Sequence, residues 1–320
     1  MPNLHRPFAV LGVALVAIMG LALPSRADED EAMEEKLGPI IECINNADNP
    51  LQGNFDKYRR LVEEIKKDPK AGHLTFLNGF DTDSNYIGAK VWKQCADTFD
   101  EAAGIAPRIG DLDQAVKHYA TAIRAFIPLA PEVDNYYKQE DYKDDKWAKG
   151  KALDEKLAPL MAQIEIASGG IRKAVLRETN AIRDRELTQV EAKSGKGFEW
   201  HTLHYMIEAR KTQEAFAAVM ESDKPSAAEF GKAIEPLQKA YDDAVAYAGA
   251  HEEELKPTPG GHLPGWAYIK LYARDYLAKA KDLRRKLEGD NPNPSLINST
   301  AESLVHTYNG LVDGYNQRGN

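Results

Sequence analysis

The chain has 320 residues, 43% of them hydrophobic and 28% charged, and its 50 acids against 41 bases give a formal net charge of −9. That surplus of acid repels phosphate backbones and anionic lipid, which argues against a nucleic-acid partner. The length suffices for one large or two ordinary domains, with enough apolar core to fold without staples.

Residues 1–27 divide into a short basic stretch with His5 and Arg6, an apolar run from Phe8 to Leu23, and the tail Pro24-Ser25-Arg26-Ala27. This is the layout of a cleavable export signal, because small residues at −3 and −1, here Ser25 and Ala27, fit the narrow pocket of signal peptidase. Cleavage after Ala27 is therefore expected. An uncleaved anchor is the competing reading, but the apolar run falls short of the roughly 20 residues that span a bilayer. No later stretch approaches that length, so no stable membrane insertion is expected after cleavage. Loss of the leader removes Arg6 and Arg26 and no acid, which leaves the mature chain more negative. Its two cysteines, Cys43 and Cys95, are expected to form a disulfide in an oxidising compartment; the alternative is a pair of buried thiols.

From about residue 37 onward, apolar residues recur at alternating spacings of four and three, the mark of helices that meet along a seam. The first seam runs Leu37, Ile41, Ile44, Leu51, Phe55, Tyr58, Val62, Ile65. Asn49-Pro50 in its middle predicts a restart into two collinear or kinked helices. His73 to Phe80 admits a short hairpin around Asn78-Gly79 inside a longer loop. The second seam carries Val91, Cys95 and Ala102, so a bridge to Cys43 would pin the first helix to the second. The third runs Leu112, Val116, Tyr119, Ile123, Phe126, Ala130, Val133, Tyr137; Pro128 and Pro131 are expected to kink it without ending it.

The fourth seam, Leu153, Leu157, Leu160, Ile164, Ala167, Ile171, Ala174, predicts one long helix from about 145 to 190, with Gly169-Gly170 a candidate joint. A further helix contains Phe198, Tyr205, Ala209 and Phe216. Pro225-Ser226-Ala227-Ala228-Glu229 reads as a capping box for the next, whose seam is Phe230, Ile234, Leu237, Tyr241, Ala244, Ala248. A connector rich in Pro and Gly, 257–265, and another at Asn291-Pro292-Asn293-Pro294 separate the last two seams. These run Trp266, Ile269, Ala273, Tyr276, Ala280, Leu283, Leu287 and Ile297, Ala301, Leu304, Tyr308, Leu311, Tyr315. The expected fold is all-α, with about seven or eight helices in an elongated antiparallel bundle or in two sub-bundles, 28–190 and 191–320, that share the long helix.

Two constellations could carry chemistry. The junction from Tyr136 to Lys151 gathers Tyr136, Tyr137, Asp141, Tyr142, Asp144, Asp145 and Trp147. Carboxylates beside aromatic faces suit a cation or small ligand; the alternative is an interhelical corner in which Asp144 or Asp145 caps the fourth helix. Further on, His201, His204 and Glu208 fall within about 60° of one another on a helix, near enough to share a metal ion. Their alternative is a solvated flank with a His204–Glu208 pair, since no general base is spaced as in zinc hydrolases. His251 lies one step along the sixth seam and reads as a core or helix-end group, and His262 reads as exposed in its connector. No phosphate-binding Gly loop, nucleophile elbow, Cys-x-x-Cys motif or dinucleotide fingerprint is present, so no cofactor and no catalytic residue is nominated.

The stretch Tyr136-Tyr137 through Lys151, the preceding Leu112-Asp113-Gln114-Ala115-Val116-Lys117-His118-Tyr119, and the Cys-containing early helices resemble the YiiG-like family of bacterial exported proteins. The similarity is most specific across 112–160. It implies a bacterial, periplasmic protein and supplies no activity or catalytic residue. Members are often lipoproteins; with no Cys at the cleavage point, this chain is expected to be released. The leading expectation is a non-enzymatic exported protein that binds an envelope partner or a small cationic ligand. A metal- or haem-handling protein and a cell-wall hydrolase, which would need two carboxylates facing across a cleft, are the alternatives.

Overall fold

The computed structural model describes residues 27–70, 80, 88–222, 224–256, 263–289 and 293–317. The export signal, the hairpin around Asn78-Gly79 and His262 lie outside the described residues, save Ala27 and Phe80 at their edges. Among the described residues ten α-helices follow one another: α1 Ala27–Cys43, α2 Asn49–Lys67, α3 Ala89–Ala102, α4 Gly110–Phe126, α5 Ala130–Lys138, α6 Ala148–Ser194, α7 Phe198–Glu221, α8 Ala227–Ala250, α9 Gly265–Leu287 and α10 Pro294–Asn316. No strand occurs among the described residues, and the fold is all-α. None of the described helices is long and apolar enough to cross a membrane.

Of the two proline sites, Asn49-Pro50 gives the expected pair of helices, although Asn49 is not their cap, whereas Pro128-Pro131 does not give the expected kink. Between α1 and α2 the chain does not stop at Asn49, whose backbone stays helical at φ −55°, ψ −49°; it runs on through a π-helical turn, Ile44–Asp48. The wider turn relieves the clash between the Pro50 ring and the carbonyl four residues earlier, and needs no N–H from Pro50. Pro128 and Pro131, by contrast, end one helix and start another. Pro128 has no N–H to donate to the Arg124 carbonyl, so α4 closes at Phe126 and α5 opens at Ala130 with Pro131 in its first turn.

The chain divides into two compact units, one ending at Thr179 and one running from Asn180, with α6 contributing to each. The expected joint at Gly169-Gly170 lies ten residues before that division. Gly170 instead sits where an added Cβ would lie 3.3 Å from the Ala115 Cβ, a close approach of α6 to α4.

In the N-terminal unit the seam residues are buried as anticipated, with two slips: Trp92 is buried in place of Val91 and Met161 in place of Leu160, both of which are only half-buried. Phe126 stands at the centre, its ring 5.5 Å from Phe55, 5.5 Å from Phe80 and 5.4 Å from Trp92. The Cys43–Cys95 disulfide joins the end of α1 to α3 across a Cα separation of 5.4 Å.

Two buried charges complete the N-terminal unit. The Lys36 ammonium, out of solvent on α1, donates to the carbonyls of Ile105 at 3.1 Å and Pro107 at 2.9 Å and pairs with Asp113. Asp48, 1% exposed in the π turn, accepts from Gln52 at 2.8 Å, from Ser168 at 2.6 Å and from Arg172, whose guanidinium also reaches Asn49 at 2.7 Å. A buried charge left alone costs several kcal/mol, so each network fixes which helices meet as well as holding them.

The C-terminal unit is built on α7 to α10: α7 packs on α8, α8 on α9 and α9 on α10. Phe216, Phe230, Leu237, Trp266, Tyr276, Leu304 and Tyr308 fill its core. Two hydroxyls in this core are matched: Tyr205 donates to the Ala273 carbonyl at 2.6 Å and Tyr276 to that of Ala209 at 3.1 Å. Ser226 caps α8 by accepting the Glu229 N–H, and Asn293 caps α10 by accepting those of Ser295 and Leu296.

Replacing Cys43 by Ser opens a loop whose ends are 52 residues apart. On the chain-entropy account this lowers the unfolding free energy by about 4 kcal/mol. Urea unfolding of the variant and of the reduced parent should show the same fall in midpoint; an unchanged midpoint would mean that the bridge does not stabilise the fold.

Candidate functional site

The aromatic-acidic junction forms a corner between α5 and α6. The chain turns at Glu140 (φ 58°), makes a short 3-10 turn over Asp141–Lys143, and turns again at Lys146 (φ 54°) and Trp147 (φ 66°). Left-handed backbone at three non-glycine residues is unfavourable by about 1 kcal/mol or more each, so the surrounding contacts must hold it. Tyr136 donates to Asp145 Oδ1 at 2.9 Å, Asp145 Oδ2 accepts the Lys149 N–H at 2.9 Å, and Trp147 Nε1 donates to the Tyr137 hydroxyl at 3.1 Å. Gly150 makes room for this: a Cβ there would lie 2.3 Å from Trp147 Cδ1.

Partial desolvation pushes the Asp145 carboxyl up, but the N–H of Lys149, the Tyr136 hydroxyl and the N–H groups of Trp147 and Ala148 outweigh it and hold the group below the usual carboxylate range. Burial pushes the hydroxyls of Tyr136, Tyr137 and Tyr142 up, so they stay protonated; Tyr136 donates to Asp145 and Tyr137 accepts from Trp147. The aromatic faces are already occupied by cations of the chain itself. Lys66 lies 5.0 Å over Trp147, Lys149 5.8 Å over Tyr136 and Lys143 5.9 Å over Tyr142. Asp141 is half-buried and Asp144 exposed, and neither enters this network. Tyr136, Tyr137, Tyr142 and Asp145 are brought together, but as the joint that starts α6.

His201 and His204 lie on the first turns of α7, against α8. The His201 ring is 4.8 Å from Tyr247, His204 is 4.6 Å from Trp200, and Tyr247 stacks on His251 at 3.9 Å. His251 ends α8, its Nδ1 2.9 Å from the Tyr247 carbonyl, so it is a helix-end group. Lys196 covers Trp200 at 4.7 Å, and Glu208 pairs with Lys211 at 3.1 Å. Among the described residues no group of three or more His, Cys, Asp or Glu side chains is placed to hold a metal ion. Desolvation lowers the His201 and His204 imidazoles below their ordinary 6.5; Asp243 opposes this at both, and Glu208 at His204. Near neutral pH the pair packs uncharged.

A concave surface that sequence reasoning did not nominate lies between α8 and α9. This groove, of about 610 Å³, has Glu235, Asp242 and Asp243 along α8, with Lys239 among them, and Lys281, Arg284 and Arg285 along α9; Gly231 and Ile234 also line it. Lys281 crosses it to reach Gln238. The signal was present as acids at 235, 242 and 243, the last two about two turns beyond the first on α8, but such a run reads as a solvated face until a basic helix is placed beside it.

With the geometry established, comparison with known proteins places the chain. The family described as "Protein of unknown function (DUF3829)" matches residues 31–317. A relative from Escherichia coli (strain K12), named "Uncharacterized protein YiiG", is 23% identical over 296 residues, covering 90% of this chain and 80% of its own. No solved structure matches. The resemblance, read from about residue 36 to beyond 280 and most specific across 112–160, extends along nearly the whole chain.

Gly150→Ala should displace Trp147 and lower stability by about 1–3 kcal/mol, as overpacking does; near-UV circular dichroism and urea unfolding that match the parent would remove the corner's structural role. The imidazoles give a second expectation. Because their folded pKa values are depressed, the unfolded chain binds protons first as pH falls below 6.5. Their contribution is complete above that pH and is lost on acidification through the lower, folded values. The melting temperature should fall between pH 7 and pH 5, and His201→Phe with His204→Gln should flatten the fall; an equal slope in the double variant would assign it to other groups.

Proposed function

We propose that this chain, which belongs to the DUF3829 family, is an exported protein of the bacterial envelope that acts by binding a small ligand in the groove between α8 and α9. The observation that carries the proposal is the groove itself, a concavity whose charged walls belong to different helices. The polar groups of the α5–α6 corner, by comparison, are engaged with one another. Export and periplasmic release are supported by the layout of residues 1–27 and by the disulfide, a bond that persists in oxidising compartments.

The alternatives have less support. Metal handling through His201, His204 and Glu208 would need side chains that instead pack on Tyr247 and Trp200 or pair with Lys211. A cell-wall hydrolase would need carboxylates on facing walls, and the acids of the groove all come from α8.

Expressed with its leader in a Gram-negative host, the chain is expected in the osmotic-shock fraction with Asp28 as its first residue by intact mass; full-length protein in the membrane fraction would overturn the export half. For the binding half, thermal shift of the released chain against peptides, polyamines and sugars is expected to reveal a stabilising ligand whose effect disappears in Gly231→Leu. A shift that survives that substitution would move the site out of the groove.

A further inference from the structure

The two walls of the groove are not equally neutralised from within. On α8, Asp242 accepts from Gln238 at 2.6 Å and Asp243 pairs with Lys239 at 2.6 Å, each one turn away on the same helix. Glu235 has no such partner among the described residues. On α9, Lys281 is engaged by Gln238, and Arg285 lies 3.5 Å from Asp282. Arg284 is less well served: its Nε is shut off from solvent without a hydrogen-bond partner, with Glu288 no nearer than 3.7 Å. Its chain lies along α8, the Cδ 3.4 Å from where a Cβ on Gly231 would be. The groove therefore presents one unmatched carboxylate on one wall and one under-satisfied guanidinium on the other, with a glycine opening the space between α8 and the Arg284 stem.

We propose that this groove takes a small dipolar ligand, with an ammonium group toward Glu235 and a carboxylate or similar anionic group toward Arg284. This rests on the binding role assigned to the groove above. A ligand with only one charge would satisfy one wall and be repelled by the other, whereas a dipole is attracted by both. The guanidinium is a planar fork that matches two carboxylate oxygens, which an ammonium cannot do. A volume of about 610 Å³ lies within the ordinary range for small-ligand sites. Free amino acids and short peptides with open termini carry this chemistry, and so does a phosphoethanolamine headgroup.

The test uses the full mature chain with four probes: alanyl-alanine with free termini, its N-acetyl form, its C-terminal amide, and phosphoethanolamine. Calorimetry gives affinities and amide NMR locates the perturbation. Alanyl-alanine is expected to perturb residues around Gly231 and Arg284, with affinity at least tenfold lower when either end is blocked. Glu235→Gln should erase the penalty for acetylation and Arg284→Gln the penalty for amidation, each without change in the far-UV spectrum. Tighter binding of phosphoethanolamine than of alanyl-alanine would support the dipolar class and assign the source to headgroups. Blocked and free dipeptides binding the groove equally would overturn the dipolar proposal and leave the groove as a site. Probes that bind the parent and Gly231→Leu alike would overturn the groove itself, and no binding by any probe would overturn the dipolar class.

Discussion

A helix with one apolar stripe cannot bury it alone, and the rest of this structure depends on that constraint. Single helices of 14 to 24 residues, such as α3 and α7, gain most of their stability from packing rather than from propensity. The chain answers with partners in sequence order in its C-terminal unit, α7 on α8, α8 on α9 and α9 on α10. The N-terminal unit needs more than stripes, because a stripe specifies that helices meet but not which ones. Lys36 and Asp48 supply that choice. Each is a buried charge that is tolerated only in the one arrangement that surrounds it with partners.

The stripes were legible in the sequence because their period is a local property. Nearly every seam residue named from spacing alone is buried, from Leu37 to Tyr315. What was not legible was long-range and polar. The first seam skips from Ile44 to Leu51, and the vacant step is Asp48; an acid on a stripe announces a buried partner, yet nothing in the spacing says that Ser168 and Arg172 will provide it. Pro128 was misjudged for a related reason. Whether Pro50 or Pro128 bends, widens or ends a helix depends on the neighbours that the freed carbonyls meet, and these are set by packing.

The sites show the same division. The α5–α6 corner stands out in the sequence because tyrosines, aspartates and a tryptophan crowd together, and they crowd because a joint with three left-handed residues needs many contacts at short range. Density of chemistry along the chain marked a joint whose polar groups engage one another. The groove between α8 and α9 is sparse by comparison, with its acids on one helix and all but one of its bases on another some forty residues away, each set unremarkable until α8 and α9 are laid side by side. Opposite charges that face each other across a gap are informative where charges that neighbour each other along one helix are not, since the latter neutralise themselves within a turn.

Lys36 and Asp48 also impose an order on events that a static fold does not display. The chain is made from its N-terminus, and Lys36 appears 69 to 77 residues before the groups that will receive its charge. Asp48 waits longer still, 120 residues for Ser168 and 124 for Arg172. Neither charge can leave water until its partners exist, so Lys36 stays hydrated until the first turn of α4 has been made, and Asp48 in the π turn until α2 to α5 are complete. Cys95 arrives well before them, 52 residues after Cys43. The nascent N-terminal unit thus passes through a stage in which the covalent link is available and the ionic ones are not, and its core closes only when the first half of α6 has emerged.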